Sequence, residues 1–142
     1  MGAPAEIVHG SCVCVGGHAA LIIGPSGSGK SGLALALIAL GARLVADDRT
    51  ALEVRGNAVV ASAPAAIAGL IEARGVGILS LEHVSRVPVA VVVDLSRTET
   101  ARLPERHVTR LMGKALPCLY KVDAAYFPAA LHTYLTNMVN DT

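Results

Sequence analysis

The chain has 142 residues, which is enough for one domain with a substantial core, and 53% of its residues are hydrophobic. It contains three Tyr, one Phe and no Trp, so the core must be built from Ala, Val, Leu and Ile. The formal net charge of +1 and the scattered basic residues exclude the dense basic face of a nucleic-acid-binding domain. No apolar run reaches the roughly 20 residues of a membrane span, and residues 1–10 lack the features of a signal peptide.

The first half of the chain predicts two hairpins on either side of a glycine-rich loop and a helix. Residues 6–24 form two apolar runs about Gly16-Gly17, which is a strong hairpin signal. A helix of about ten residues follows the glycine-rich loop, and Gly41 suits the position just after its end. The segment "ARLVADD" (42–48) indicates a short buried strand closed by two acids. Residues 50–62 predict a second hairpin that turns at 55–57.

The second half predicts one central strand and a C-terminal helix. Residues 63–81 indicate a short helical piece followed by a loop and one strand, and 105–116 fit either a helix or a strand. The β-branched run at 87–96 is typical of a central strand. Residues 124–138 predict a helix with Pro128 either in its first turn or at a break. We therefore expect a single α/β domain over residues 1–142, with a mixed β-sheet that contains a phosphate-binding loop and is flanked by helices.

The cysteine pattern argues against a metal site or a disulfide framework. Cys12, Cys14 and Cys118 are odd in number and lack the spacing of zinc ligands. Cys12 and Cys14 alternate, so both should lie on one face of a strand. We expect three buried free thiols in a cytoplasmic protein.

Residues 24–31 satisfy the pattern G-x-x-x-x-G-K-[ST] in full. The glycines permit a tight path that turns successive N–H groups inward, and the following helix begins with its positive dipole end towards an anion. Lys30 would reach the β- and γ-phosphates of ATP, and the Ser31 hydroxyl would ligate Mg²⁺. The predicted nucleotide-binding residues are Gly24, Pro25, Ser26, Gly27, Ser28, Gly29, Lys30 and Ser31.

Phosphoryl transfer also needs an acid near the end of a neighbouring strand, and the sequence offers two candidates. Asp94 follows the longer apolar run, which favours a central strand. Asp47 and Asp48 lie one helix and one turn after the loop. Two adjacent carboxylates are unusual at a strand end without a purpose, because like charges repel. One of them could accept a proton while the other holds the loop or the metal. Pattern alone does not choose between these candidates.

Several ordered blocks resemble the catalytic domain of HPr kinase/phosphorylase, the enzyme that acts on a serine of the phosphocarrier protein HPr. The resemblance covers nearly the whole chain and is to the C-terminal domain, in the short form that lacks the N-terminal domain. The matching blocks are Val8-His9-Gly10, Gly29-Lys30-Ser31, Leu44-Val45-Ala46-Asp47-Asp48, the signature "EARGVGI" at 72–78, and Arg102-Leu103. The resemblance implies an ATP- and Mg²⁺-dependent protein serine kinase that forms a homohexamer in the cytoplasm.

The resemblance also implies a role for each matched residue. Asp48 would accept the proton of the target serine and return it in the reverse reaction, and Asp47 would position that group. The metal would be held by Ser31 and Glu72. The other site residues implied are His9 and Arg102, which would line the site with Lys30. Arg74 fits either an ion pair with the signature glutamate or a phosphate contact.

Two departures from the family pattern bear on function. Gly32 stands where the family has Glu directly after Lys-Ser, which weakens the helix start by roughly 1 kcal/mol. Many members carry an arginine-rich loop linked to dephosphorylation by phosphorolysis, whereas residues 116–128 contain Lys121 as their only basic residue. The sequence therefore leaves the second activity open.

Other functions remain compatible with the sequence. The chain could be a regulatory module that senses ATP and binds a partner without phosphoryl transfer. A small-molecule kinase is a third reading, but such enzymes need a lid with several arginines, and no arginine-rich stretch is present. Tyr126, Phe127 and Tyr134 could form a subunit or partner contact, or pack a helix against the core.

Overall fold

The computed structural model describes residues 5–140, so the expectation about the N-terminal ten residues lies partly outside it. These residues form ten strands and two helices, with a single 3₁₀ turn at Ala65–Ile67. The helices are α1 (Lys30–Ala39) and α2 (Phe127–Asn140). The strands are β1 (Glu6–Val15), β2 (His18–Ile23), β3 (Arg43–Ala46), β4 (Arg49–Arg55), β5 (Ala58–Ser62), β6 (Leu70–Ala73), β7 (Gly77–Ser80), β8 (Val87–Thr98), β9 (His107–Leu111) and β10 (Lys114–Lys121).

Eight strands form one mixed sheet, and five of them close on themselves. Strand β1 pairs with β2 along its second half and with β4 along its first half. Strand β8 is parallel to β2 and β10 and antiparallel to β5, which in turn pairs with β4. The pairings β1-β2-β8-β5-β4-β1 therefore make a circuit, to which β3, β10 and β9 are added. The predicted mixed sheet flanked by helices is confirmed.

Two apolar clusters stabilise this arrangement from opposite faces of the sheet. One draws buried side chains from all five strands of the circuit, including Cys12, Cys14 and Leu52. The other lies between the sheet and both helices and contains Val13, from the opposite face of β1, and Leu37 of α1. The alternation in β1 thus divides neighbouring residues between the two clusters.

The turn signals of the sequence are confirmed. Gly16 and Gly17 both have positive φ, 55° and 81°, as a two-residue hairpin turn requires. Helix α1 ends where predicted, because the N–H of Gly41 bonds to the carbonyl of Ile38 and that of Ala42 to the carbonyl of Leu37. This pair of bonds is a Schellman motif, with Gly41 at φ 114°.

One segment differs from its predicted structure, and a second takes one of its two predicted forms. Residues 63–81 contain a single helical turn and then two strands, β6 and β7, which form a separate hairpin instead of one loop and one strand. Residues 105–116, for which the sequence predicts either a helix or a strand, take the strand form and contribute to the β9–β10 hairpin at the edge of the sheet. Strand pairing decides both outcomes, because each short strand is stabilised by a neighbouring strand that the local sequence does not reveal.

Candidate active site

The glycine-rich loop joins β2 to α1 and leaves the start of the helix free to bind an anion. The first helical bond runs from the N–H of Leu33 to the carbonyl of Gly29, and Gly29 offers no side-chain cap. The N–H groups of the first turn therefore lack helical partners. The Lys30 ammonium donates to the carbonyls of Gly24 and Pro25, at 2.8 and 3.1 Å. The loop thus carries a cation and free donors, which suits a phosphate group.

A cleft of about 940 Å³ lies against this loop, and we call it the phosphate cleft. It is bounded by the loop and α1 on one side, and by β1, the turn after β3 and the β6–β7 hairpin on the others. The ionisable and hydroxyl side chains that line it are those of His9, Ser26, Lys30, Ser31, Asp48, Glu72 and Arg74. Four chain segments that are distant in sequence therefore meet in one place, and each contains residues of one of the matched blocks.

Asp47 holds three of these segments together. It is 7% exposed and follows β3 directly. Its Oδ1 accepts hydrogen bonds from the hydroxyls of Ser31, at 2.6 Å, and Ser11, at 2.9 Å. Its Oδ2 accepts the backbone N–H of Glu72 at 3.1 Å. One buried carboxylate thus fixes the start of α1, the middle of β1 and strand β6 relative to one another.

Asp48 is exposed at the phosphate cleft and has an uncommon backbone conformation. Its φ is +66°, and the N–H of Arg49 bonds to the carbonyl of Asp47 at 2.7 Å, which closes a three-residue turn around it. Such turns are rare and strained outside glycine. The carbonyl of Asp48 accepts a hydrogen bond from the N–H of Gly10 at 3.0 Å, and the N–H of Asp48 donates to the hydroxyl of Ser11 at 3.2 Å. These bonds hold the carboxylate at the mouth of the cleft.

His9, Glu72 and Arg74 are exposed along the same cleft. Within residues 5–140 none of their side chains takes part in a hydrogen bond or ion pair. The structure therefore does not show an ion pair between Arg74 and Glu72. All three groups are available to a ligand.

Two predicted candidates lie elsewhere. Arg102 is exposed in the segment between β8 and β9 and does not line the phosphate cleft, so its role stays a prediction. Asp94 lies inside β8, which continues to Thr98, and its Oδ1 accepts the N–H and the hydroxyl of Ser96. Asp94 is paired in register with Ile23, just before the phosphate-binding loop, but its side chain bonds within β8 and does not line the phosphate cleft, whereas that of Asp48 does.

Sequence reasoning missed Ser11 and the role of Gly10. Ser11 is fully buried and shares the face of β1 with His9, two residues away. That spacing was the available signal. A Cβ on Gly10 would lie 2.8 Å from the carbonyl oxygen of Ile22, so only glycine lets β1 approach β2 this closely. The short sequence "VHG" therefore combines a cleft residue with a close backbone contact.

The thiols are all buried, whereas the C-terminal aromatics differ in exposure. Cys12, Cys14 and Cys118 are free and buried, as predicted. Burial raises the pKa of the Cys12 thiol far above its usual range, and the neighbouring Cys14 adds to this. Phe127 is buried, while Tyr126 is 65% exposed, so the aromatic residues do not form one surface. No helix within residues 5–140 is long and apolar enough to cross a membrane.

Comparison with known proteins decides the family. The sequence matches the HPr Serine kinase C-terminal domain over residues 2–110. The chain belongs to this family. It is 40% identical over 119 residues to an HPr kinase/phosphorylase of Geobacillus kaustophilus, covering 77% of this chain and 36% of that protein. It is 48% identical over 82 residues to an HPr kinase/phosphorylase of Bacillus cytotoxicus, covering 56% of this chain and 26% of that protein.

A solved structure shares the fold of this family member. The Hpr(Ser) kinase/phosphatase from Coxiella burnetii superimposes with a TM-score of 0.80 at 23% sequence identity, covering 96% of this chain and 97% of that one. By contrast, the chain spans only 27% of an HPr kinase/phosphorylase of Peptoclostridium acidaminophilum, 36% of the Geobacillus kaustophilus protein and 26% of the Bacillus cytotoxicus protein.

Proposed function

We propose that the chain is an ATP-dependent protein serine kinase that phosphorylates HPr. The observation that carries this proposal is the meeting of an exposed carboxylate, Asp48, and a complete phosphate-binding loop in one cleft. A nucleotide sensor needs the loop but has no need of a free carboxylate beside it. The names of the relatives, HPr kinase/phosphorylase, supply the substrate.

The donors in the cleft fit Mg²⁺. The Ser31 hydroxyl donates its proton to Asp47 at 2.6 Å, which leaves its lone pairs free for a cation. The Glu72 carboxylate is exposed on the same cleft. Mg²⁺ is commonly bound by one or two protein oxygens together with substrate phosphates, and no group of three or more ligands occurs in the described residues. When bound, it neutralises charge on the β- and γ-phosphates.

The chain's own groups would position the reactants and move one proton. The Lys30 ammonium would exchange its two loop carbonyls for phosphate oxygens, with the N–H groups of the first turn of α1 beside it. Asp48 would accept the proton of the target serine as its oxygen attacks the γ-phosphorus in line. The bond from that phosphorus to the β–γ bridging oxygen then breaks and ADP leaves. His9 and Arg74 would contact the transferred group or the acceptor.

The same geometry allows the reverse step. Inorganic phosphate would attack the phosphorus of phosphoserine, the bond from that phosphorus to the serine oxygen would break, and the protonated Asp48 would give its proton to the leaving serine oxygen. The second product would be pyrophosphate. One carboxylate can serve both reactions because each makes or breaks the same bond between phosphorus and the serine oxygen, where the same proton has to move. We include phosphorolysis, a hexameric assembly and a cytoplasmic location in the proposal as parts that need their own measurements.

A transfer assay with γ-labelled ATP, Mg²⁺ and purified HPr tests the proposal. We expect label on a serine of HPr and a loss of about 10²-fold or more in Asp48→Asn, the size typical of removing a general base. Glu105→Gln is the matched control, since Glu105 is an exposed carboxylate outside the phosphate cleft. Equal rates in the wild type and Asp48→Asn would refute the assigned role.

The same experiment separates the alternative functions. Tight ATP binding with no transfer to HPr would favour the nucleotide-sensing module. Transfer to a small molecule, with none to HPr, would favour a small-molecule kinase. Measuring phosphate release from phosphorylated HPr, with and without added phosphate, tests the reverse reaction separately.

A further inference from the structure

A second cleft of about 550 Å³ opens beside the phosphate-binding loop, and the proposed chemistry does not use it. It lies between α1, the end of β8 and the segment that joins β10 to α2. Gly29 and Gly32 border both clefts. The rest of its lining on α1 comes from Leu33 and Ala36, whereas Ser31 and Leu35 face the phosphate cleft. At 100° per residue, Gly32 lies between these two faces of the helix.

We infer that the second cleft binds the nucleoside part of ATP. This inference rests on the proposed function, because it assumes that the γ-phosphate lies beside Asp48. With that end fixed, the first turn of α1, where Gly29 and Gly32 border both clefts, offers the rest of the nucleotide a path out of the phosphate cleft. Gly32 leaves that path open, since a Cβ placed there would meet no atom within 4 Å. The path leads into the second cleft.

The side chains that line the second cleft suit contacts with both a base and a sugar. Phe127 and Leu95 are less than 10% exposed and supply an apolar wall. Lys121 and Asp123 line the cleft, and in the described part of the chain their side chains make no hydrogen bond or ion pair. The buried Ser28 Oγ likewise has no partner. A mainly apolar pocket of 300–1,000 Å³ with a few polar groups is typical of a small-molecule site.

Two ligands that share a phosphate chain test the inference. ATP carries the nucleoside, and inorganic tripolyphosphate lacks it, so a nucleoside site affects only the first. Ala36→Met extends a side chain into the second cleft and keeps a good helix former. Ala39→Met is the matched control, because Ala39 is exposed on the same helix and lines neither cleft. Asp123→Asn tests a polar contact without added bulk.

Calorimetric titration with Mg²⁺ present measures the dissociation constant of each variant for ATP and for tripolyphosphate. In Ala36→Met we expect the ATP dissociation constant to rise about tenfold, the equivalent of about 1.4 kcal/mol, while that of tripolyphosphate stays within about twofold. Asp123→Asn should act in the same direction, and Ala39→Met should change neither ligand. Equal effects on both ligands, or no effect on either, would overturn the nucleoside site while leaving the phosphate site intact. Failure of the wild type to bind either ligand would instead refute the proposed function.

Discussion

Replacing Asp47 with Ala should destabilise the protein mainly through the serine that it leaves without a partner. The carboxylate accepts three hydrogen bonds, and the three donors differ in access to water. Ser11 is fully buried, so water cannot replace Asp47 there, and an unsatisfied buried hydroxyl costs about 1–3 kcal/mol. The donors from Ser31 and Glu72 are only partly buried and lose about 0.5–1.5 kcal/mol each. The free energy of unfolding should therefore fall by about 2–6 kcal/mol.

A double-mutant cycle separates this explanation from a general loss of packing. Ser11→Ala alone leaves the N–H of Asp48 without its acceptor and should cost about 1–3 kcal/mol. In Asp47→Ala/Ser11→Ala the orphaned hydroxyl no longer exists, so the double variant should lose about 1–2 kcal/mol less than the sum of the single losses.

Urea unfolding provides the measurement, with the midpoint and the slope recorded for each variant. Thr133→Ala is a suitable control, since this exposed hydroxyl bonds within α2 and its loss should change stability by no more than about 0.5 kcal/mol. Additivity of Asp47→Ala and Ser11→Ala within about 0.5 kcal/mol would refute the reasoning, because it would mean that the two side chains act independently.

Three further predictions concern backbone contact, pH and the thiols. Gly10→Ala should cost about 1–3 kcal/mol in urea unfolding because its Cβ meets a carbonyl of β2 at 2.8 Å, whereas Gly32→Ala, with no such contact, should gain about 0.8–1 kcal/mol; equal effects would contradict this. The N–H of Ala101 and a neighbouring histidine lower the pKa of Glu99, so its stabilisation is present above the unfolded pKa of about 4.3 and lost as pH falls through the folded value. Glu99→Gln should therefore flatten the acid limb of stability against pH, and parallel profiles would exclude the effect. Burial raises the pKa of Cys12, so iodoacetamide should alkylate it only after denaturation, and rapid native labelling would refute this.

Local signals were sufficient for much of the fold and for the phosphate-binding loop. Some signals depend only on the backbone conformation of a few neighbouring residues, so the sequence pattern is enough to predict them. They are Gly16-Gly17, Gly41 and the motif at 24–31. The β8 strand was predicted because its buried run is long and β-branched. These are the elements whose structure depends least on distant neighbours.

Contacts between distant segments were the part that local reasoning could not supply. Asp47 and Ser11 are 36 residues apart, and nothing local indicates that their side chains meet. The sequence pattern also could not decide between Asp48 and Asp94. A longer apolar run indicates where a strand is buried, but not whether the acidic side chain in it lines the cleft. The family resemblance favoured Asp47 and Asp48, and in the structure Asp48 lines the phosphate cleft whereas Asp94 does not.

Gly32 shows how the same residue changes meaning between sequence and structure. In the sequence, Gly32 replaces the Glu of the family pattern, which removes a charge and lowers the helix propensity by roughly 1 kcal/mol. In the fold it borders both clefts, and the space beside it is open. Helix propensity counts only the energy of the local backbone, so it cannot register what a side chain would block. A residue that weakens its own helix can therefore be the one that lets a ligand extend from one cleft into the next.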